Sequence, residues 1–428
     1  MVEVAADPLR DGAGPKPRPA GPPGAARAAW ALLGLNVLGS AGAQTVFPIP
    51  RSLIQMVTMG ALAAAFALAL AVNPRASVRP SAFLFLLTLL LVPSVLSSAT
   101  LESGFGALFR CGRLTLFVAT LWLLSRWWDG GTAFVRTHVR MYFAVLVSVV
   151  AGLIVSPGAA LPELYGGRLV GALWPLTPPQ IGQYAAVVVG LSVLLALDRR
   201  TSWGGALAVV VPSLVLLVLT HTRTATIGML AGLVLAIGSL VLTSSAARRF
   251  FAWTVVCAVV AAVGFASALQ AWFLRGQSQE YFTSLTGRAT VWDALLDAPR
   301  TLTERLFGTG LSDKSFGGLP IDNSWLAVYD EQGLTGTAIV AAMYLVLGGV
   351  ALLRPPSPQR ACALFLISYV GISSYTEAGL GDASAYLLHL ALAASLLAAP
   401  AGDVPGTARP GMPAPPPRPV PRRARRLT

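Results

Sequence analysis

Long apolar runs alternate with short polar segments along almost the whole chain. Each run has about the length that an α-helix needs to cross the hydrocarbon core of a bilayer, roughly 20 residues. One longer polar segment, residues 271–330, interrupts the series. The pattern predicts about twelve membrane-spanning helices, over residues 27–46, 52–72, 80–98, 106–125, 137–156, 180–197, 203–221, 225–243, 250–270, 331–353, 360–375 and 382–399.

The first of these runs is the weakest. It begins at Arg27, its apolar core is short, and small residues occupy positions 41–43. These features are also typical of a cleaved signal peptide. We favour a retained span, and the remaining helices keep the same orientation with either reading.

Both ends of the chain are rich in proline and carry few apolar residues. Residues 1–26 and 401–428 are therefore predicted to be disordered cytoplasmic tails. Between them, residues 27–400 are predicted to form one transmembrane domain. Within the polar segment, apolar residues recur at near-helical spacing on both sides of Pro299, which predicts two short amphipathic helices at the membrane surface.

Composition supports a membrane protein. Of the 428 residues, 55% are hydrophobic and only 11% are charged, whereas about a quarter of the residues in soluble domains are charged. The predicted spans are almost free of charge at their centres, which disfavours an ion-driven transporter. The three cysteines and three histidines are far apart in the sequence, so we expect no metal site and no cofactor.

The distribution of charge predicts the orientation. With the N-terminus inside, the inner segments hold 21 of the 31 basic residues and six of the 18 acidic residues. This agrees with the positive-inside rule and places both termini in the cytoplasm and residues 271–330 outside. Only two basic residues are lysines, Lys16 and Lys314, a composition typical of a GC-rich bacterial genome. We therefore expect a multi-pass protein of the bacterial cell (inner) membrane.

Several arginines are predicted to lie at the outer face, where the orientation rule disfavours them. Contact with lipid headgroups would explain some, because long basic side chains reach from the membrane to its surface. The alternative is an anionic ligand, since a guanidinium binds phosphate through two charge-assisted hydrogen bonds. The candidates are Arg110, Arg113, Arg168, Arg223 and Arg288, whereas Arg275, Arg300 and Arg305 are interpreted as surface charges.

Four short motifs follow one another in and after the polar segment. They are Thr286-Gly287-Arg288-Ala289-Thr290-Val291-Trp292, Gly308-Thr309-Gly310, Asp322-Asn323-Ser324-Trp325-Leu326 and Glu331-Gln332-Gly333-Leu334-Thr335-Gly336. Their order and spacing resemble the O-antigen ligase/O-antigen polymerase superfamily of bacterial membrane glycosyltransferases. Thr222-Arg223-Thr224 and, more loosely, Gly167-Arg168-Leu169 extend the resemblance, which covers roughly residues 100–395.

The resemblance implies an all-α, GT-C-like polytopic membrane fold with one large extracytoplasmic loop. It also implies an undecaprenyl-diphosphate-linked oligosaccharide as the donor of a glycan to an acceptor hydroxyl at the outer face, without a metal. Arg223 and Arg288 would bind the diphosphate, and Asp322 would take the acceptor proton or orient the acceptor. Ligases tend to have histidine where this chain has Asp322, so the aspartate favours a polymerase-type member in exopolysaccharide or cell-surface glycan assembly.

Other interpretations of the same residues stay open. Asp322 and Asn323 are favoured helix caps, and Trp292 suits a packing anchor, although all three are also candidates for substrate binding or catalysis. Glu377 and Asp382, in the last outer loop, are candidates for facing the cavity and binding sugar. Gly333 and Gly336 suit a close approach of backbone segments.

Alternative functions also remain. A polymer ligase acting on a lipid, protein or wall acceptor, or a transporter of lipid-linked glycan, would explain part of the pattern. A transporter is disfavoured because the sequence has no internal repeats. The expected partners are the lipid bilayer and either a chain-length regulator or a flippase. No nucleic-acid partner is expected.

Overall fold

The protein is an all-α polytopic membrane protein. The computed structural model describes residues 21–38, 45–100, 104–241, 243–274 and 288–399. Outside the described residues lie the predicted tail 401–428, most of the predicted tail 1–26, Arg275, and Thr286-Gly287 of the first motif.

The described helices follow one another with short connections. Two of them lie in residues 271–330, which the sequence predicts to face outward and which are here called the outer segment. The first helix begins at Gly24, three residues before the predicted span. The helices are α1 Gly24–Asn36, α2 Arg51–Val72, α3 Ala82–Leu89, α4 Leu91–Thr100, α5 Gly104–Leu124, α6 Ala133–Val155, α7 Pro157–Ala160, α8 Pro178–Leu197, α9 Trp203–Thr220, α10 Arg223–Val241, α11 Ser245–Gly264, α12 Ala266–Leu274, α13 Arg288–Asp297, α14 Leu302–Phe307, α15 Ser324–Leu353, α16 Pro358–Ser373 and α17 Ala385–Leu396.

Eight helical segments among the described residues are long and apolar enough to cross a membrane. One of them, Ala82–Ala99, joins α3 and α4. Four predicted runs fall on helices that are not among these eight segments. They are 27–46 on α1, 250–270 on α11 with α12, 360–375 on α16 and 382–399 on α17. Every predicted run thus contains helix, which confirms the all-α polytopic fold.

The helix α8 lies at the centre of the bundle. Almost all of its residues are buried, and it packs against α6, α9, α10 and α16. Its N-terminus is fixed by a capping box, because the backbone N–H of Thr177 donates to Gln180 Oε1 at 3.0 Å. The apolar surroundings on every side explain why α8 lacks the one-sided pattern of a surface helix.

A cluster of aromatic rings fills the middle of this core. The rings of His138 on α6 and His389 on α17 lie 5.1 Å apart between centroids, and Tyr142 stacks on Tyr184 at 4.5 Å. The two histidines are far apart in the sequence, and the bundle brings them together as buried packing partners.

The outer segment contains the two helices that the sequence predicts, α13 and α14, with Pro299 between them. The sequence did not predict the small antiparallel hairpin that follows, in which Ser315–Phe316 pairs with Leu319–Pro320. Gly317 and Gly318 form its turn with φ of 59° and 80°, a backbone conformation that glycine adopts without steric cost.

The outer segment is joined to α15 by its backbone. Gly333 interrupts α15 with φ 66°, and a β-carbon there would lie 2.4 Å from the carbonyl carbon of Leu306. Just before this break, the backbone N–H groups of Thr309 and Gly310 donate to the carbonyls of Asp330 and Glu331 at 2.8 and 3.0 Å. The glycine therefore permits the close crossing that holds the outer segment on the bundle.

One charge in this region departs from the sequence interpretation. Arg300 was interpreted as a surface charge, but its side chain is only 6% exposed and pairs with Asp330 at 2.5 Å. The guanidinium also lies 5.0 Å from the centroid of the Tyr329 ring. Because residue 330 is on α15, this buried pair links the outer segment to the bundle.

The predicted topology can be tested by labelling single cysteines in a background without native cysteines. Leu319→Cys lies on the exposed hairpin and Ser245→Cys at the exposed start of α11. A membrane-impermeant maleimide should label Leu319→Cys on intact cells and leave Ser245→Cys unlabelled until the cells are opened. Labelling with the reverse pattern would place the outer segment in the cytoplasm.

Candidate functional site

A two-residue turn between α9 and α10 positions Arg223 at the first residue of a helix. His221 has the left-handed φ of 47° that closes this turn, and the hydroxyl of Thr222 donates to the carbonyl of Pro178 at 3.1 Å. The hydroxyls of Thr224 and Thr376 share a hydrogen bond of 2.7 Å. The turn therefore lies between the start of α8 and the loop that precedes α17.

Arg168, in the loop between α7 and α8, contacts the same turn. Its Nε donates to the carbonyl of Thr220 at 2.9 Å, and its Nη2 lies 3.4 Å from the Thr222 hydroxyl. Burial lowers the pKa of Arg168, the ionised form of Glu377 opposes this, and the positive charges of Arg288 and Arg223 lower it further. Two arginines from separate elements thus act electrostatically on Arg168.

Arg288 begins α13 and faces a carboxylate. Its Nε donates to Asp322 Oδ2 at 3.3 Å, with the two side chains 27% and 36% exposed. Both partners therefore remain accessible to a ligand.

Trp292 holds the backbone next to Asp322 in place. The indole Nε1 of Trp292 donates to the carbonyl of Ile321 at 2.8 Å, so Trp292 anchors the backbone next to Asp322. Asp322 itself has a left-handed φ of 43°. Trp292 is only 8% exposed, which gives it a packing role rather than an open substrate-binding surface.

The helix cap is Asn323 and not Asp322. The side-chain oxygen of Asn323 accepts hydrogen bonds from the backbone N–H groups of Trp325 and Leu326 at 2.9 and 3.1 Å, which satisfies the first turn of α15. Asn323 is buried, and this cap engages its side-chain oxygen. The carboxylate of Asp322 points to Arg288 instead.

Glu377 is the second carboxylate of the site. It lies between α16 and α17, and its backbone carbonyl accepts a hydrogen bond from the Ser324 hydroxyl at 2.6 Å. Burial and, to a smaller extent, the charge of Asp322 raise the pKa of Glu377 to about 8, against the opposing effect of Arg288 and Arg168. At neutral pH its carboxyl is therefore mostly protonated and can both donate and accept hydrogen bonds.

A cavity of about 410 Å³ extends from Glu377 into the bundle. It is lined by Arg110 and Arg113 of α5, and also by Lys314 and Asp382. Arg113 Nη1 lies 3.8 Å and Lys314 Nζ 3.7 Å from Asp382 Oδ2. Burial alone would raise the pKa of Asp382, but Lys314, Arg113 and Arg110 hold it below its usual value.

The structure thus divides the predicted site residues into three groups. A cluster on the turn and loops, here called the arginine cluster, contains Arg168, Arg223, Arg288, Asp322 and Glu377. Arg110 and Arg113 line the adjoining cavity, and Trp292 and Asn323 support the backbone around Asp322. Sequence reasoning missed Lys314 as a cavity residue, although it is one of only two lysines in the chain.

Among the described residues, no group of three or more histidine, cysteine, aspartate or glutamate side chains could hold a metal ion. The arrangement is suited to binding an anion between guanidinium groups with carboxyl groups beside it.

A comparison with curated proteins gives no match. Residues 208–341 match the family model described as O-Antigen ligase, and this segment contains Arg223, Arg288 and Asp322. Over these residues the chain is similar to that family, which supports this part of the resemblance seen in the sequence.

Proposed function

We propose that the protein transfers a glycan from an undecaprenyl-diphosphate-linked donor to an acceptor hydroxyl at the outer face of the cell membrane. The observation that carries this proposal is the arginine cluster, in which the charges of Arg223, Arg288 and Glu377 act on Arg168 and Arg288 pairs with Asp322. Guanidinium groups bind phosphate oxygens through paired, charge-assisted hydrogen bonds. A diphosphate is the leaving group whose growing charge such a cluster stabilises.

We infer the course of the transfer from the positions of these residues. The acceptor oxygen attacks the anomeric carbon of the donor sugar, and the bond from that carbon to the diphosphate oxygen breaks. The arginines stabilise the negative charge that develops on the diphosphate. Asp322 accepts the proton of the acceptor hydroxyl, and its ion pair with Arg288 holds its carboxylate next to the leaving group.

Glu377 has a different part in this proposal. With a pKa of about 8, its neutral carboxyl donates and accepts hydrogen bonds to sugar hydroxyls, and it adds little negative charge beside the diphosphate. Asp322 at the position where ligases tend to have histidine favours a polymerase-type activity over a ligase.

The raised pKa of Glu377 predicts an alkaline limit of activity. As the pH rises through about 8, the carboxyl loses its proton, its donated hydrogen bond is lost, and a negative charge appears beside the donor diphosphate. Glycan transfer by membranes that contain the protein should therefore fall above pH 8. Glu377→Gln keeps a neutral donor and acceptor, so it should remove most of this decline. An unchanged decline in the Gln variant would show that another group sets the limit, with thermal stability at each pH as the control for unfolding.

A further inference from the structure

Glu331 is a buried carboxyl group that the proposed reaction does not use. It lies on α15, two residues before the break at Gly333, and none of its surface is exposed. Its Oε1 accepts two hydrogen bonds from Ser312, one from the backbone N–H at 2.8 Å and one from the hydroxyl at 3.1 Å. Burying a carboxyl group costs free energy, so its contact with Ser312 in the outer segment has to offset that cost.

The contact between Glu331 and Ser312 continues toward Asp322 through the backbone. The Ser312 hydroxyl accepts a hydrogen bond from the N–H of Lys314 at 3.1 Å. The carbonyl of Lys314 in turn accepts one from the N–H of Ile321 at 2.9 Å. These four residues, Glu331, Ser312, Lys314 and Ile321, are here called the Glu331 network. Because Ile321 directly precedes Asp322 in the chain, the network connects α15 to the candidate base.

The backbone that this network holds needs support from its surroundings. Lys314 and Asp322 have left-handed φ values of 60° and 43°, which are unfavourable for residues other than glycine. They lie on the two sides of the hairpin of residues 315–320, and the hydrogen bond from Ile321 to Lys314 closes its base. Such conformations persist where surrounding contacts determine them. Without the contacts of Glu331, we therefore expect residues 312–322 to relax.

Asp322 is held from both of its sides by the same helix. On its C-terminal side, Asn323 caps the first turn of α15. On its N-terminal side, the network leads back to Glu331, which lies about two turns further along α15. The carboxylate between these two attachments pairs with Arg288 at 3.3 Å. The network therefore helps to determine where this carboxylate lies.

We propose that Glu331 is a positioning residue, which acts through the Glu331 network to hold Asp322 beside Arg288, where Asp322 receives the acceptor proton. This inference rests on the proposed function, in which Asp322 is the base. A reacting group has to be held within about 0.5 Å of its productive position, and a displacement of about 1 Å can lower a rate about 100-fold. Glu331 thus affects the chemistry through Asp322 and not through a contact with substrate.

Two replacements of Glu331 separate its hydrogen bonds from its charge and volume. Glu331→Met has a similar size but no oxygen acceptor, and it should lower kcat about 10- to 100-fold while the KM for the donor stays within about twofold of the wild-type value. Glu331→Gln keeps an oxygen that can accept from Ser312 and should retain most of the transfer. The whole chain is assayed in phosphatidylcholine nanodiscs with an undecaprenyl-diphosphate-linked glycan purified from the cells that produce it. Equal losses in the two variants would overturn the inference.

The network can also be interrupted at Ser312. Ser312→Ala removes the hydroxyl that joins Glu331 to the backbone of Lys314, and it should lower kcat about tenfold, the scale of one hydrogen bond. Ser315→Ala is the matched control, because the Ser315 hydroxyl donates to Asp313 Oδ1 at 2.5 Å in an exposed contact outside the network. Its kcat should be unchanged. A normal kcat of both Glu331→Met and Ser312→Ala would overturn the inference.

A double-variant cycle tests whether Glu331 acts through Asp322. The variant that combines Glu331→Met with Asp322→Asn should be about as slow as Asp322→Asn alone, because the position of residue 322 no longer matters once it cannot act as a base. If the two losses multiply, Glu331 acts on the reaction by another route and the inference is overturned. The same cycle with Ser312→Ala gives the answer if a thermal unfolding curve shows that Glu331→Met does not fold.

Amide hydrogen exchange distinguishes failure of this inference from failure of the proposed function. In Glu331→Met, exchange should become faster over residues 312–322 and stay unchanged in α8. Unchanged exchange over residues 312–322 would overturn the network and leave the proposed function standing. Full activity of Asp322→Asn would instead remove the base from the proposed function, and the positioning role of Glu331 with it.

Discussion

Replacing Asp322 by asparagine is expected to reduce glycan transfer about 100-fold or more, the scale of general-base catalysis, while the fold remains intact. Asparagine is nearly the same size as aspartate but cannot accept the acceptor proton. The helix cap is provided by Asn323, so the change at residue 322 does not uncap α15. Transfer from the purified lipid-linked glycan, compared at equal protein level, measures the effect.

Two comparisons make this result specific. Asp322→His should regain part of the activity, because imidazole can take the same proton. Asn323→Ala is the matched structural control and should lower the free energy of unfolding by about 1 kcal/mol through loss of the cap. Full activity of Asp322→Asn would remove Asp322 from the chemistry and leave the arginines as the groups that act on the donor.

Replacing Arg223 or Arg288 by alanine is expected to raise the barrier to transfer by about 2–4 kcal/mol, as removal of one oxyanion contact does in other enzymes. That corresponds to a rate lower by about 30- to 1,000-fold. Lysine should rescue poorly at both positions, because an ammonium cannot provide the planar pair of donors. Arg305→Ala provides the control at an exposed site on α14.

The double variant gives the sharper measurement. If Arg223 and Arg288 bind one diphosphate, the barrier to transfer in the double variant should rise by less than the sum of the two single increases. Arg288 also pairs with Asp322, so its replacement should change the pH dependence of transfer as well as its rate, whereas Arg223→Ala should change the rate alone. Near-normal glycan transfer by both single variants would exclude binding of the donor diphosphate by these two arginines.

The fold was accessible to sequence reasoning because a membrane-spanning helix is a local signal. Each run is recognised within about 20 residues, and the break at Pro299 is equally local. The break in α15 at Gly333 was anticipated only as a close approach, since the sequence does not say which backbone comes near. The hairpin of residues 315–320 was missed because its strands have two residues each.

The candidate site was predictable where a motif carried it and not where charges meet across the fold. Arg223, Arg288 and Asp322 belong to short motifs with fixed spacing. The contact of Asp382 with Arg113 and Lys314 joins three distant parts of the chain, and no local pattern indicates it. Arg300 was misjudged for the same reason, because its burial depends on Asp330 in another element.

The left-handed backbone conformation of Asp322 restricts which side chains this position tolerates. Asparagine, aspartate and histidine tolerate positive φ better than other residues with side chains. Of these three, only aspartate and histidine can act as bases, and these are the two residues that the resemblance places there. A glutamate would retain the carboxylate but lose this conformational tolerance. The backbone conformation at residue 322 therefore limits the possible bases there to aspartate and histidine.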